Sequence, residues 1–323
     1  MPDRESPLPR LRRGAVVTVG TFDGVHRGHS LVLERTADAA RNAELASVAL
    51  TFDPHPMDVV NPSAAPPLLM LWDEKLEVLA QSSIDYVVVL PFTADLAQLA
   101  PEQFVERVLL DRLNMRALYL GHDHGFGRGR TGDVESLRML GQRRGFSVEA
   151  IDAVRASDGT PVSSTAIRRA VAHGDLARAQ DGLGRRYAFS GRVRSGERRG
   201  RSLGFPTLNV ALDSRRKLLP PHGVYAVVVS GVRGVYGGMM NLGPRPTFGD
   251  ESISLEVHAF DVEGDWYGDV VKVEFVARLR DTVKFAGQQA LAAQLQKDAG
   301  NARNALTGVI SSARLKGSGT NTS

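Results

Sequence analysis

The chain contains no cysteine among its 323 residues. That absence excludes disulfides, thiolate metal sites and cysteine nucleophiles, and it fits a reducing cytoplasm. Long apolar runs are missing as well. One of the longest, residues 87–92, falls far short of the roughly 20 residues that a spanning helix needs. Residues 1–13 are rich in proline and arginine and lack the apolar stretch of a secretory signal, so they read as a flexible lead-in. A soluble, cytoplasmic protein is therefore expected, without a membrane partner. Strong net charge is absent too, at +4. One region is locally basic: residues 185–201 hold seven arginines against the single acid Glu197. A nucleic-acid arm is one reading of that run. Interleaved glycines and few aromatics for base stacking favour a solvated face or arginines serving a phosphate ligand, so no nucleic-acid partner is expected.

The length favours two domains over one. An apolar share of 42% supplies packed cores, and a charged share of 24% is ordinary. Up to about residue 184, strand-like and helix-like stretches alternate. Strands are predicted at 15–19, 46–52, 84–90, 116–120 and 146–151, the first and third of them buried. Helices are predicted from residue 30, at 73–81, at 134–144, and from Ala100-Pro101-Glu102 to about 113. Residues 61–67 read as a loop or flap. Such alternation argues a parallel sheet covered on both faces. Beyond residue 186 the pattern becomes short β-runs (187–190, 224–229, 235–241, 253–260, 270–276) punctuated by glycine, proline and acids. An antiparallel small barrel is predicted, with a helix at 288–299 packed on it. Residues 312–323 are small and polar and read as a disordered tail.

One stretch organises the first half: Gly20-Thr21-Phe22-Asp23-Gly24-Val25-His26-Arg27-Gly28-His29. It follows a strand and opens a helix, a geometry that aims backbone N–H groups and a positive dipole end at an anion. His26 and His29 lie three apart, so one helical turn puts both rings on the same side. Two imidazoles there suit a phosphoryl group that gains charge during transfer. A βα turn with two surface histidines is the plainer alternative. Further along, Ser163-Ser164-Thr165-Ala166-Ile167-Arg168 offers hydroxyls at a helix start and an arginine one turn in. Alone it is an ordinary N-cap; beside the first motif it reads as a second phosphate clamp.

In the second half, glycines at 191, 196, 200 and 204 make a pliable loop ahead of Phe205-Pro206-Thr207-Leu208-Asn209. Thr207 and Asn209 place two hard oxygen donors on one side of an extended segment, suited to magnesium with phosphates and waters completing its shell. In isolation a glycine-rich hairpin with a routine strand start is the better reading. Glu256 sits in the alternating run Ser254-Leu255-Glu256-Val257-His258, where most glutamates simply face solvent.

Taken together, these residues resemble the bacterial bifunctional riboflavin kinase/FAD synthetase family, whose adenylyltransferase half carries the HxGH motif. Further matches are Pro221-His222-Gly223-Val224-Tyr225, the stretch from Asn241 to Phe248, Gly264-Asp265-Trp266-Tyr267-Gly268, and Leu279-Arg280 ahead of Phe285. They run in the family's order over about residues 15–298. Leu208 stands where the family usually has alanine, and His124 where it usually has an aromatic.

The resemblance implies a Rossmann-like α/β adenylyltransferase domain over 14–184 and an all-β small-barrel riboflavin kinase domain with a C-terminal helix over 185–306. It implies phosphorylation of riboflavin by ATP to FMN, then adenylylation of FMN to FAD, with Mg2+ accompanying ATP. His26, His29 and Glu256 would be catalytic. Gly20, Phe22, Asp23, Ser164, Thr165 and Arg168 would join the histidines on the adenylyltransferase ATP. Phe52, Asp53, Asp123 and Phe126 would line that domain's flavin pocket. Gly196, Arg201, Gly204, Pro206 and Thr207 would hold the kinase ATP, Thr207 and Asn209 the metal, and Glu256, Arg280 and Phe285 the kinase flavin. An HxGH enzyme for another acceptor with an unrelated barrel appended is one alternative; a non-catalytic flavin- or RNA-binding module is another. Self-association stays open at this stage.

Overall fold

The computed structural model describes residues 11–121, 133–195, 204–244, 253–262 and 264–309. The chain forms two compact units, Met1–Leu68 with Trp72–Ser164, and Leu69–Leu71 with Thr165–Ser323.

The first unit is built on five parallel strands: β1 (Ala15–Val19), β2 (Ala46–Asp53), β3 (Tyr86–Pro91), β4 (Met115–Gly121) and β5 (Ser147–Ile151), in the order β3-β2-β1-β4-β5. All five residues of β1 are buried, as an apolar β-branched run in a central strand requires. Helix α1 (Arg27–Asn42) follows β1 and buries Val32, Leu33, Thr36, Ala37 and Ala40 at helical spacing. The core joins Val17, Val19, Leu50, Leu118 and Leu120 to Phe104, Val108 and Leu137, and Leu11 packs against it.

Several predicted elements shift. A short helix, α2 (Pro56–Val60), follows β2, and the predicted loop at 61–67 contains a 3-10 turn at Pro62–Ala64. Proline at a helix's first positions starts the turn rather than ending structure. Helix α3 (Trp72–Ala80) falls close to its predicted place. The predicted strand β3 buries Val88 and Leu90 in the core but is an edge strand, with Tyr86 and Pro91 exposed. A helix that the pattern did not show, α4 (Ala94–Gln98), precedes α5 (Pro101–Phe104), and the chain continues as a π-helix through Val105–Leu110. The helix at 134–144 forms as predicted, as α6 (Val134–Arg144). Asp133 accepts from the Ser136 N–H at its start, and Gly145 ends it at a φ of 79°.

The second unit takes in α7 from Thr165 onward (Ser164–Ala172) and α8 (Leu176–Leu183), then a closed antiparallel barrel. Its strands are β6 (Ala188–Arg194), β7 (Leu208–Ala211), β8 (Gly223–Gly231), β9 (Gly234–Pro244), β10 (Ile253–Ala259) and β11 (Val270–Arg280), ordered β10-β7-β6-β11-β8-β9. Alternation drives closure. Leu255 and Val257 are buried, and Glu256 between them is only partly so. Helix α9 (Gln288–Ala305), longer than predicted, lays Ala302 against Ala226, Val228, Met239 and Phe260. A buried ion pair fixes it: Arg280 Nε and Nη2 grip the carboxylate of Asp298, which is 1% exposed and also accepts from Gln294.

Candidate active sites

In the first unit, β2 leaves β1 on one side and β4 lies on the other. Connections therefore diverge at the carboxyl end of β1, where open α/β sheets bind ligands. The Gly20–His29 turn occupies that position. Its backbone is unusual: Phe22 and Val25 carry φ of 47° and 36°, and Gly24 a φ of 87°. Left-handed geometry at a bulky and a β-branched residue costs about 1–3 kcal/mol each and persists only where surroundings enforce it. The enforcing bonds are present. Gly20 N donates to Leu50 O, Val25 N donates to Phe22 O, and the Ser164 hydroxyl donates to Asp23 O at 2.9 Å.

His26 is the N-cap of α1, and its Nδ1 accepts from the His29 N–H at 3.3 Å. An accepting Nδ1 puts the neutral ring's proton on Nε2, which makes Nε2 the donor. The two rings stack with centroids 3.6 Å apart and planes 16° apart, and Phe22 meets His29 edge-on at 5.3 Å. The expected same-side pair is thus a stacked pair, with His26 only 7% exposed. A Cβ at position 28 would stand 3.2 Å from the His26 ring, so glycine there lets the ring settle.

The remaining predicted residues are placed less simply. Ser164 spends its hydroxyl proton on the Asp23 carbonyl, tying the second motif to the first. Thr165 and Arg168 lie on α7 and belong to the second unit. Phe52 packs edge-on to Phe92, with Phe104 nearby, and Asp53 ends β2. Asp123 and Phe126 lie outside the described residues, as do Gly196 and Arg201. A groove of about 430 Å³ between α1 and β5, lined by Leu31, Arg35, Tyr119, Glu149 and Ile151, contains none of the predicted residues.

The barrel builds its site by register. Asn209 of β7 pairs directly with Glu256 of β10, and Glu256 pairs on its other side with Asn241 of β9. Directly opposed residues share a face, their Cβ atoms about 5 Å apart. Thr207 lies two before Asn209, immediately ahead of β7. The row continues from Asn241 to Val224 and from Val224 to Arg280. Five strands thus bring Asn209, the Glu256 carboxylate and, past a register shift between Arg278 and Arg280, the arginine into one row. The Ser254 hydroxyl donates to Glu256 Oε1 at 3.0 Å. His258 Nδ1 lies 2.8 Å from the Pro206 carbonyl oxygen and its ring meets Phe205, which holds the Phe205–Asn209 segment against β10. The Arg280 guanidinium, committed to Asp298, stands 5.7 Å from the Phe285 ring centre. Asn241 is the residue that sequence reasoning left without a role, since only strand pairing brings it beside Glu256.

No group of three or more histidine and carboxylate side chains suited to a metal occurs among the described residues. The donors at the barrel site are one hydroxyl and one amide. They fit magnesium, which keeps waters and substrate phosphates in its shell, and not a metal held wholly by protein.

Comparison with known proteins agrees with both halves. The FAD synthetase family model matches residues 8–166 and the riboflavin kinase family model residues 183–306. A relative from Escherichia coli strain K12, named bifunctional riboflavin kinase/FMN adenylyltransferase, is 38% identical over 90% of this chain and 93% of its own length. Relatives of the same name from Haemophilus influenzae and Pseudomonas fluorescens are 37% and 39% identical, over 91% and 90% of this chain and 95% and 93% of theirs. A crystal structure described as a macrolide-efflux protein from Streptococcus pneumoniae superposes with a TM-score of 0.82 at 29% identity, covering 94% of this chain and 98% of its own. That description stays with that protein; among the described residues here, no helix is long and apolar enough to cross a membrane. Two family halves in the same order, and relatives matched over nine-tenths of the sequence, converge: the chain belongs to the bifunctional riboflavin kinase/FMN adenylyltransferase family.

Proposed function

We infer that this chain carries both activities of its family. Riboflavin and ATP give FMN and ADP; FMN and a second ATP give FAD and pyrophosphate. The observation that carries the inference is the coexistence, in one chain, of a stacked histidine pair on a strained turn at a helix N-terminus and a paired Asn209 and Glu256 on the barrel, with Thr207 just ahead of β7.

At the barrel we assign Glu256 as general base toward the ribityl 5′-hydroxyl. Ser254 engages Oε1, which turns Oε2 to the substrate. Thr207 and Asn209 would hold magnesium, which neutralises phosphate charge when bound. Gly204 and Pro206, with Gly196 and Arg201, are assigned to the ATP phosphates. Arg280 and Phe285 are assigned to the flavin, Arg280 acting from its anchored position on Asp298. We set the working limits of the two domains at 14–184 and 185–306.

At the α/β site the FMN phosphate is already an anion, so it needs no strong base to attack the α-phosphorus of ATP. Positioning and charge neutralisation carry the step. Nε2–H of His26 and the His29 ring would donate to the phosphoryl oxygens, with the α1 N-terminus behind them. Thr165 and Arg168 are assigned to the same ATP, and Ser164 to holding the turn. Phe52, Asp53, Asp123 and Phe126 are assigned to the flavin. Both reactions are placed in the cytoplasm, and neither requires nucleic acid.

The test is direct. Purified chain is incubated with riboflavin and Mg-ATP, and flavins are separated over time. FMN followed by FAD is the expected sequence of products; FAD with no FMN precursor, or neither product, contradicts the assignment.

A further inference from the structure

The turn that carries His26 and His29 is held from behind by a side chain that the mechanism above does not use. Lys75 lies on α3, on the same helix face as the buried Leu79, and is only 6% exposed. Its Nζ donates to the Thr21 carbonyl at 2.9 Å, and the Thr51 hydroxyl donates to that oxygen at 3.3 Å. A lysine rarely enters a core unless a structural demand repays its desolvation. Burial pulls the Lys75 ammonium below the ordinary lysine range, and the nearby Asp23 and Asp53 carboxylates oppose that pull.

What the ammonium touches explains why it is there. Thr21 immediately precedes Phe22, where the chain enters the left-handed region, and Val25 repeats that strain before the His26 cap. In a planar trans peptide the carbonyl and the following N–H point in opposite directions. Fixing Thr21 O toward Lys75 therefore fixes the Phe22 N–H away from it. Ser164 acts likewise on Asp23 O, and so on the Gly24 N–H.

We propose that Lys75 is a positioning residue of the adenylyl-transfer site, its ammonium and the Thr51 hydroxyl clamping Thr21 so that the strained turn presents His26 and His29 to the ATP polyphosphate. The proposal rests on reading this site as the adenylyltransferase centre. It makes the turn's geometry depend on α3, an element that carries none of the predicted ligand-binding residues.

The test uses the full chain and both of its reactions. Lys75→Met removes charge and donor at similar length, Lys75→Arg keeps both, and Thr51→Val removes the second donor on the same oxygen. Lys75→Met is expected to lower kcat for FAD formation from FMN about 100-fold, the scale of a displaced reacting group, while KM for FMN stays within about threefold. Lys75→Arg is expected to recover at least about a tenth of the parent rate, and Thr51→Val to lose about fivefold, the scale of one neutral hydrogen bond. Riboflavin phosphorylation by the same preparations stays at the parent rate. FAD formation within threefold of the parent in Lys75→Met overturns the proposal, and so does a loss carried wholly by KM. Should Lys75→Met fail to fold, a parent-like rate in Thr51→Val overturns it alone. A parent chain that makes FMN but no FAD instead removes the reading of the site beneath the proposal.

Discussion

The two units reach phosphate chemistry by opposite means. In the first, the groups assigned to catalysis are contiguous in sequence, and the backbone does the placing: a strand ends, a strained turn follows, and a histidine caps the next helix. In the second, the groups assigned to catalysis are nearly fifty residues apart, and strand register does the placing. Asn209 meets Glu256, Glu256 meets Asn241, and the row ends on Arg280. A backbone-made site tolerates little change in turn geometry. A register-made site tolerates local change but depends on barrel closure.

Four substitutions break or sharpen that contrast. The largest effect is expected from Glu256→Ala, which removes the proposed base and should slow FMN formation by about 10³-fold, inside the range for general bases. With FMN supplied, FAD formation by that variant should match the parent, measured by pyrophosphate release. Next is His26→Ala with His29→Ala, expected to lower FAD formation by about 10²-fold, comparable to losing preorganised donors at a developing charge. Loss of the His26 cap should also destabilise α1 by about 1 kcal/mol, visible in thermal unfolding, while FMN formation persists. Third, Asp298→Asn strands the Arg280 guanidinium against α9. Breaking such a buried pair costs about 3 kcal/mol, so calorimetry should show a lower Tm, and KM for riboflavin should rise with kcat nearly kept. Smallest, Ser254→Ala should slow riboflavin phosphorylation only about threefold, because one hydrogen bond to the Glu256 carboxylate is lost.

What could be read in the sequence follows the same division. The Gly20–His29 turn was legible because every part of it is local, and the helix at 134–144 because Asp133 and Gly145 cap it. Other local signals misled. Residues 61–67 looked like a loop yet open on the 3-10 turn Pro62–Ala64, and the apolar run of β3 lies at a sheet edge that hydropathy did not reveal. Edge or centre is a property of strand order, which hydropathy does not encode. Asn241 stayed hidden for the same reason, since its role depends on pairing with Glu256. Arg280 could be picked out, but its partner Asp298, eighteen residues on in α9, could not. Lys75 did leave a trace: a charged residue on the apolar stripe of a short amphipathic helix, four before Leu79.

Two independent sites acting in succession make one experiment decisive. The Glu256→Ala chain and the His26→Ala, His29→Ala chain are mixed in equal amounts with riboflavin and Mg-ATP, and flavins are followed by chromatography. FMN should rise first and FAD should then replace it, whereas each variant alone makes FAD from riboflavin at least about 100-fold more slowly than the parent chain. A mixture that stops at riboflavin or at FMN would contradict separate, successive sites.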